Sequence, residues 1–248
     1  MMNDTIPEIS VICVYNDPQK LAAFFQSGLS IQTSAVEVIP LDNTSCRFPS
    51  AAKALNFGAS QAKGRYLVFM HQDILLETPT AWDELLQYFR AGYSLLGVSG
   101  MRKIYPFMVS NVTTGTHDRR AMVNWICTKI KSPTKVETFD ECFFAMTREV
   151  YELIRFDETI CDNWHMYAVD FCLSAKERGI NSFVVPIKMH HQSGGRINKA
   201  FIHNLLAVIK KHHIIWMAAP CYHFLATRPC VWGLYYFWQF VYRRSKKQ

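Results

Sequence analysis

Three polar clusters early in the chain, Tyr15-Asn16-Asp17, Asp42-Asn43 and His71-Gln72-Asp73, each close a short apolar run. Asp73 has the narrowest choice of roles. Apolar residues precede its triplet and Ile74-Leu75-Leu76 follow it, so a carboxylate there caps a helix, pairs with a base or binds a cation. Hard divalent cations take carboxylate oxygen and Mn2+ also accepts imidazole, so His71 and Asp73 suit a metal ion that offsets the charge of a diphosphate. Capping remains the alternative for such a triplet standing alone. Further on, Asp170 lies in the first turn of a helix-forming segment, YAVDFCLSAKER, where the helix dipole favours a carboxylate with or without a proton to move. Trp164 and His165, just before it, are fit to stack on a sugar ring or to anchor their loop by packing.

These positions converge only if the chain brings several strand ends side by side. Glu8 to Tyr15 is nearly all apolar and rich in β-branched residues, which predicts a strand buried on both faces. Asp17 and Pro18 then cap and start a helix over Gln19 to Gly28. Val36 to Leu41 reads as a second strand, Ser50 to Lys63 as a helix stopped by Gly64, and Arg65 to Met70 as a third strand. Such alternation opens a doubly wound sheet, whose ligands gather at the carboxyl ends of strands, and all three clusters fall there. Later patterns predict helices over Thr80 to Ala91, Arg148 to Ile154, Tyr167 to Arg178 and Asn198 to Met217. They predict strands over Ser94 to Ser99, Phe139 to Met146 and Ser182 to Ile187, and a turn-rich loop at 190 to 195. The polar stretch between Met101 and Val136 reads as a loop or lid over the site.

At 248 residues, half of them hydrophobic and 19% charged, the chain can bury one sizeable core. Its net charge of +7 is unevenly spread: eleven Lys and Arg follow Glu177 with no acid among them, leaving the first 177 residues at −4. A basic end on an acidic body argues against a globally basic nucleic-acid binder and suits a solvated tail or an anionic membrane face. Pro220 to Gln248 is aromatic and ends in Arg243-Arg244-Ser245-Lys246-Lys247, yet His223, Arg228 and Pro229 interrupt it too often for a span. It reads as an interfacial segment, a helix folded back on the core, or a homodimer contact. The eight cysteines include no CxxC pair and read as reduced thiols, while Asp4, Pro7 and Glu8 break up any export signal. The expected location is cytoplasmic, peripheral on the inner face of the cell membrane if the tail is interfacial.

The order of these pieces is more specific than any one of them. ISVICVYND, LDN and SAAKALNFGASQAKGRYLVFMHQD resemble the nucleotide-binding half of GT-A glycosyltransferases, specifically the bacterial glycosyltransferase-like group with HQD in place of DxD. FDECFFAMTREVYELIRFDETICDNWHMYAVDFCLSAKERGINSFVVPIKMHHQSGG is similar to the acceptor-side half of the same group. The resemblance runs from about Glu8 to Gly195. It implies an α/β GT-A fold, a doubly wound mixed sheet flanked by helices. The catalytic domain would be 1–197, with a nucleotide-binding half at about 8–100 and an acceptor half at about 136–197, and a helical, basic-aromatic extension would occupy 198–248.

The resemblance also implies roles. Tyr15, Asn16, Asp17 and Gln72 would line the nucleotide pocket, Asp42 would reach the base or ribose, and Asn56 would support the same pocket. Asp73 would bind the Mg2+ or Mn2+ that bridges the diphosphate, with His71 beside it and His191 as a further contact, His190 being the alternative. Asp170 would be the general base of an inverting transfer, and Asp140, Glu141, Trp164 and His165 would meet the acceptor. His71 and Ala168 stand where relatives often carry acids, which favours weaker metal binding or a catalytically inactive, membrane-associated scaffold.

The expected function is transfer of a sugar from a nucleotide-sugar donor, UDP-linked by preference, to a hydroxyl of a saccharide or lipid-linked saccharide in bacterial surface polysaccharide or glycoconjugate synthesis. A sugar-phosphate nucleotidyltransferase also fits such a sheet, but YNDPQK lacks the glycine-rich basic loop it needs after the first strand.

Overall fold

A computed structural model describes residues 7–104, 108–114, 127–192, 198–213, 216–219 and 222–225. The apolar run Ile9–Tyr15 forms β1, and both its edges are paired in parallel, by β2 (Glu37–Asp42) and β3 (Tyr66–Met70). Between β1 and β2 lies α1, in three consecutive pieces: Pro18–Lys20, a π-helical stretch Leu21–Gln26, and Ser27–Ser30. Asp17 caps it by accepting from the backbone N–H groups of Gln19 and Lys20. α2 (Ala51–Gln61) is capped by Ser50 and buries Ala51, Ala52, Ala54, Leu55, Gly58 and Ala59, the small-residue face the sequence shows. β4 (Ile74–Leu76), α3 (Ala81–Arg90) and β5 (Leu95–Gly97) follow.

Two predicted strands prove to be cut. Ser94 to Ser99 divides at Val98: β5 stays in the main sheet, while β6 (Ser99–Met101) leaves it for a second one. That second sheet also takes β7 (Met108–Ser110) and β9 (Cys127–Thr128); β8 (Thr113–Thr114) lies between them in sequence. The expected lid is therefore partly strand, and its residues 105–107 and 115–126 lie outside the described residues. β10 (Thr134–Val136) returns to the main sheet. The strand predicted over Phe139 to Met146 breaks at Asp140-Glu141-Cys142, giving β11 (Thr138–Phe139) on β6 and β12 (Phe143–Thr147) between β3 and β5. Asp140 makes the break: its Oδ1 accepts from the Cys142 backbone N–H at 3.0 Å, closing a turn. Gly97 is needed opposite, because the Phe139 ring lies 2.5 Å from where a Cβ would be.

α4 (Arg148–Ile154), α5 (Tyr167–Glu177), β13 (Ser182–Val184) and β14 (Met189–His191) follow. β14 occupies the start of the loop predicted at 190 to 195, and 193–197 lie outside the described residues. The main sheet has seven strands in the order β10-β13-β5-β12-β3-β1-β2, mixed because β12 is antiparallel to both its neighbours. A small sheet, β4-β14-β8, sits at the carboxyl end of β3. Alternation along the central strands sorts the core into two layers. Ile12, Leu67, Phe69, Phe144 and Phe171 fill one face, and Val11, Val68, Trp82, Phe143 and Val185 fill the other. Each fully buried Phe contributes about 1.5–3 kcal/mol, so β3 and its exit rest on a rigid base.

The C-terminal region departs from expectation. α6 (Lys199–Lys211) is shorter than the helix predicted to Met217, and His213 takes a positive φ of 49° beyond it. Two short strands follow, β15 (Trp216–Ala219) and β16 (Tyr222–Leu225), so the region is not purely helical. Ile202, Leu205 and Val208 of α6 join the same core as Phe171, so α6 packs with the main body of the fold. Among the described residues no helix is long and apolar enough to cross a membrane. The aromatic-basic tail from 226 onward lies outside them.

Candidate active site

The chain leaves β3 at His71, whose backbone N–H reaches the Cys142 carbonyl at 2.9 Å, and turns at once so that Ile74 N–H meets the His71 carbonyl at 3.3 Å. Asp73 is thereby fixed at the strand exit. β14 runs antiparallel to β4 with His191 opposite Ile74 and His190 opposite Leu75. Side chains alternate along a strand, so the two adjacent histidines face opposite ways. His191 turns to Asp73, and His190 stacks on Phe24 and contacts the Thr113 hydroxyl at 3.0 Å. Strand register settles which of the pair joins the cluster.

His71, Asp73 and His191 offer three ligand atoms within 4.8 Å of one another. Asp73 is buried to 7% exposure, and His191 Nε2 lies 3.4 Å from its Oδ1. That separation brings charge close without making a hydrogen bond: Nε2 is buried and has no hydrogen-bond partner. His71 Nε2 contacts the Tyr167 hydroxyl at 2.8 Å, and that hydroxyl lies 3.4 Å from the Glu141 carbonyl. The contact holds the His71 ring in place, and in a neutral imidazole one ring nitrogen keeps a lone pair. Burial, then the neighbouring His191, push the His71 imidazole down to about 4, so the ring is neutral as a ligand must be. Burial would push Asp73 up, but the contact with His191 outweighs it and holds the carboxyl below its usual range. For His191 burial pushes down and Asp73 more than compensates. An orphaned buried nitrogen, a carboxylate and a neutral imidazole fit a divalent cation, and two nitrogens suit Mn2+ better than Mg2+.

The predicted nucleotide residues divide. Tyr15 pairs with Asp42 across β1 and β2 at the strand ends, and Asp42 is exposed. The Thr44 backbone N–H and hydroxyl bind Asp42 Oδ1 at 2.8 and 2.7 Å and hold its carboxyl low, while lost hydration and Asp42 push the Tyr15 phenol up. The Gln72 amide binds the β1 exit: Oε1 accepts from Asn16 and Asp17 backbone N–H at 3.0 and 2.9 Å, and Nε2 donates to Asn16 Oδ1 at 2.7 Å. Gln72 and Asn16 thus tie the exits of β1 and β3 together, and Asp17 Oδ1 caps α1. Asn56 is a correction. Its Nδ2 donates to the Phe156 carbonyl and Glu158, and its Oδ1 accepts from Phe156 N–H and the Tyr151 hydroxyl. It staples α2 to the turn after α4 and has no donor left for a nucleotide.

Asp170 is the larger correction. It sits in the first turn of α5, as expected, but is 2% exposed. Its Oδ2 meets Lys211 Nζ at 2.8 Å and its Oδ1 meets His212 Nε2 at 2.8 Å. Lys211 also pairs with Asp157 at 3.0 Å, and His212 Nδ1 with Glu177 at 2.6 Å. With both oxygens held by Lys211 and His212, this buried carboxylate locks α6 onto α5.

Of the four predicted acceptor residues, Asp140 stands nearest the cluster, its ligand oxygen within 4.8 Å of those of Cys142 and His191. Glu141 turns inward. Burial and then the charge of Asp140 push its carboxyl well up, against the backbone N–H groups of Tyr167, Met166 and Ala168, and its Oε1 has no partner. Trp164 is 39% exposed and open to a ligand. His165 packs edge-on against Phe201 with centroids 5.6 Å apart, and burial pushes its imidazole down.

Comparison with known proteins places the chain in a family. Residues 10–193 match the model of the glycosyltransferase-like family, well over half of the chain. The chain belongs to that family. A curated relative of this glycosyltransferase, the "ATP synthase subunits region ORF 6" protein of Fuscovulum blasticum, is 25% identical over 190 residues, covering 71% of this chain and 70% of its own. Among solved structures, the mannosyltransferase PcManGT of Pyrobaculum calidifontis, in complex with GDP-Man and Mn2+, matches with a TM-score of 0.58 at 13% identity, over 88% of this chain and 67% of that one. S. aureus TarS 1-349 with UDP-GlcNAc matches at 0.55 and 14% identity, over 82% and 66%. GalNAc-T7 with UDP, GalNAc and Mn2+ matches at 0.52 and 14% identity, over 86% and 49%. At such identities the likeness speaks for the fold, and that fold is GT-A.

Several residues of the glycosyltransferase escaped sequence reasoning. Tyr167, which orients His71, was visible only as an aromatic in the YAVD segment. Lys211 and His212, which occupy Asp170, stood out only as basic residues ending a helix. Nothing in the local sequence marks Cys142 as a neighbour of Asp140 and His191.

Proposed function

We propose that this glycosyltransferase moves one sugar from a nucleotide-diphosphate donor, UDP-linked by preference, to a hydroxyl of a saccharide or lipid-linked saccharide in bacterial surface polysaccharide or glycoconjugate synthesis. The unpartnered His191 Nε2 facing Asp73 and His71, at the carboxyl end of the sheet, carries this reading. The three side chains hold a divalent cation, Mn2+ before Mg2+, and when bound it offsets the charge of the departing diphosphate. Tyr15 and Asp42 receive the base or ribose at the neighbouring strand ends. Gln72 and Asn16 keep those ends in register. The complexes named for the similar structures, with GDP-Man and Mn2+ or with UDP, GalNAc and Mn2+, support the donor class.

In this reading the base is Asp140. Its Oδ1 accepts the Cys142 N–H, which fixes the carboxylate at the cleft, and it takes the proton of the acceptor hydroxyl as that oxygen attacks opposite the diphosphate, with inversion. Trp164 offers a face for the acceptor ring. Pro220 to Gln248 brings the enzyme to the inner membrane face, where a lipid-linked acceptor resides.

The test is to incubate purified protein with a panel of UDP- and GDP-sugars, with and without Mn2+, and to follow free nucleotide. Release that depends on Mn2+ and is lost in Asp140→Asn with donor affinity unchanged supports the assignment. No donor binding and no release under any condition leaves the inactive scaffold as the answer.

A further inference from the structure

The turn that cuts the strand at Asp140 does more than place a carboxylate. It carries Cys142 to the same point: Asp140 Oδ1 binds the Cys142 backbone N–H at 3.0 Å. Cys142 is 1% exposed, at the foot of β12. His191 arrives from β14, and the carboxylate oxygen, sulfur and imidazole nitrogen lie within 4.8 Å of one another. Among the described residues, Cys142 alone of the free thiols joins such a group.

We propose that Asp140, Cys142 and His191 form a second cation position, adjoining the first and sharing His191 with it, that takes a thiophilic divalent ion such as Zn2+. The donor chemistry separates the two positions. His71, Asp73 and His191 supply nitrogen and oxygen, which suits Mn2+, whereas a thiolate selects zinc and excludes Mg2+. Ligands of tetrahedral zinc stand roughly 3–4 Å apart, so the three side chains need to close by about 1 Å. On binding, the S–Zn bond forms, the thiol proton passes to solvent, and nothing is oxidised or reduced. His191 cannot serve both positions at once. Zn2+ therefore competes with the ion of the first position and inhibits any turnover that depends on it.

The experiment uses the full chain without nucleotide and titrates it with Co2+, the visible stand-in for Zn2+. The wild type should show the near-ultraviolet sulfur-to-cobalt charge-transfer band, and added Zn2+ should erase it. Cys142→Ser, Cys142→Ala and His191→Gln should lack it, and circular dichroism verifies that each is folded. Cys46→Ser, at an exposed cysteine, and Asp73→Asn, outside the trio, should retain it. No band in the wild type overturns the proposal, as does a band that survives Cys142→Ser or His191→Gln or disappears with Asp73→Asn. Because the band is read without any donor, its outcome is independent of whether the protein transfers sugar.

Discussion

Asp73 and Asp170 are both buried acids beside a histidine, and their surroundings differ in one respect. Asp170 meets Lys211 and His212 at 2.8 Å, one on each oxygen. Asp73 has its histidine at 3.4 Å, and that Nε2 makes no hydrogen bond. Burial removes water from both, and an uncompensated buried polar group costs about 1–3 kcal/mol. A folded chain tolerates that cost where a ligand restores the missing contact. Saturation of hydrogen bonds, more than burial, separates the acid that holds helices together from the acid we propose as a cation ligand.

The contrast breaks most visibly at Asp73. Asp73→Ala should lower Mn2+-supported nucleotide release by more than about a hundredfold, with the melting temperature of the metal-free protein nearly unchanged. Turnover at the wild-type level would place the cation elsewhere. Asp170→Ala should do the reverse: urea unfolding should show a loss of about 3 kcal/mol, because Lys211 and His212 each lose one of their two carboxylate partners, while UDP affinity at low temperature persists. Undiminished stability with transfer abolished would return Asp170 to catalysis. A smaller effect follows at Asn56, where Asn56→Ala removes the staple to Phe156 and should cost about 1–3 kcal/mol without weakening nucleotide binding. A tenfold loss of nucleotide affinity would put Asn56 back in the pocket.

The gentlest test is the pH response of the saturated region. Burial pushes His212 down, but Asp170 and Glu177 outweigh it and raise its pKa above the ordinary 6.5. A raised folded-state value means that the stability is complete below 6.5 and fades as pH climbs through the folded pKa. Melting temperature in wild type should fall over that alkaline window, and His212→Asn should flatten the fall; an unchanged slope would remove His212 from the lock.

Much of the frame was legible in the residues. The run Ile9 to Tyr15, the helix capped by Asp17, the helix from Ser50 that Gly64 stops, and the strand ending at Met70 all follow from local periodicity and end signals, which need no partner to be read. The cuts at Val98 and at Asp140 were hidden, because a strand that changes sheets keeps its alternation and shows the change only in its pairing. His190 and His191 are adjacent and chemically alike, so the register of β14 on β4 had to choose between them. The resemblance put Asn56 at the pocket, and its partners near Phe156, 100 positions away, leave no local trace in the sequence.

By itself the sequence determined the kinds of donor present and the succession of strands that collects them: an acid at each of three strand ends and a histidine at one, following apolar runs separated by helices. Which donors stay unpaired was decided by tertiary structure alone. Pairing depends on contacts such as Asp170 with Lys211, 41 residues apart, and His191 with Asp73, and no local pattern encodes whether a lone pair meets a proton once the chain has closed.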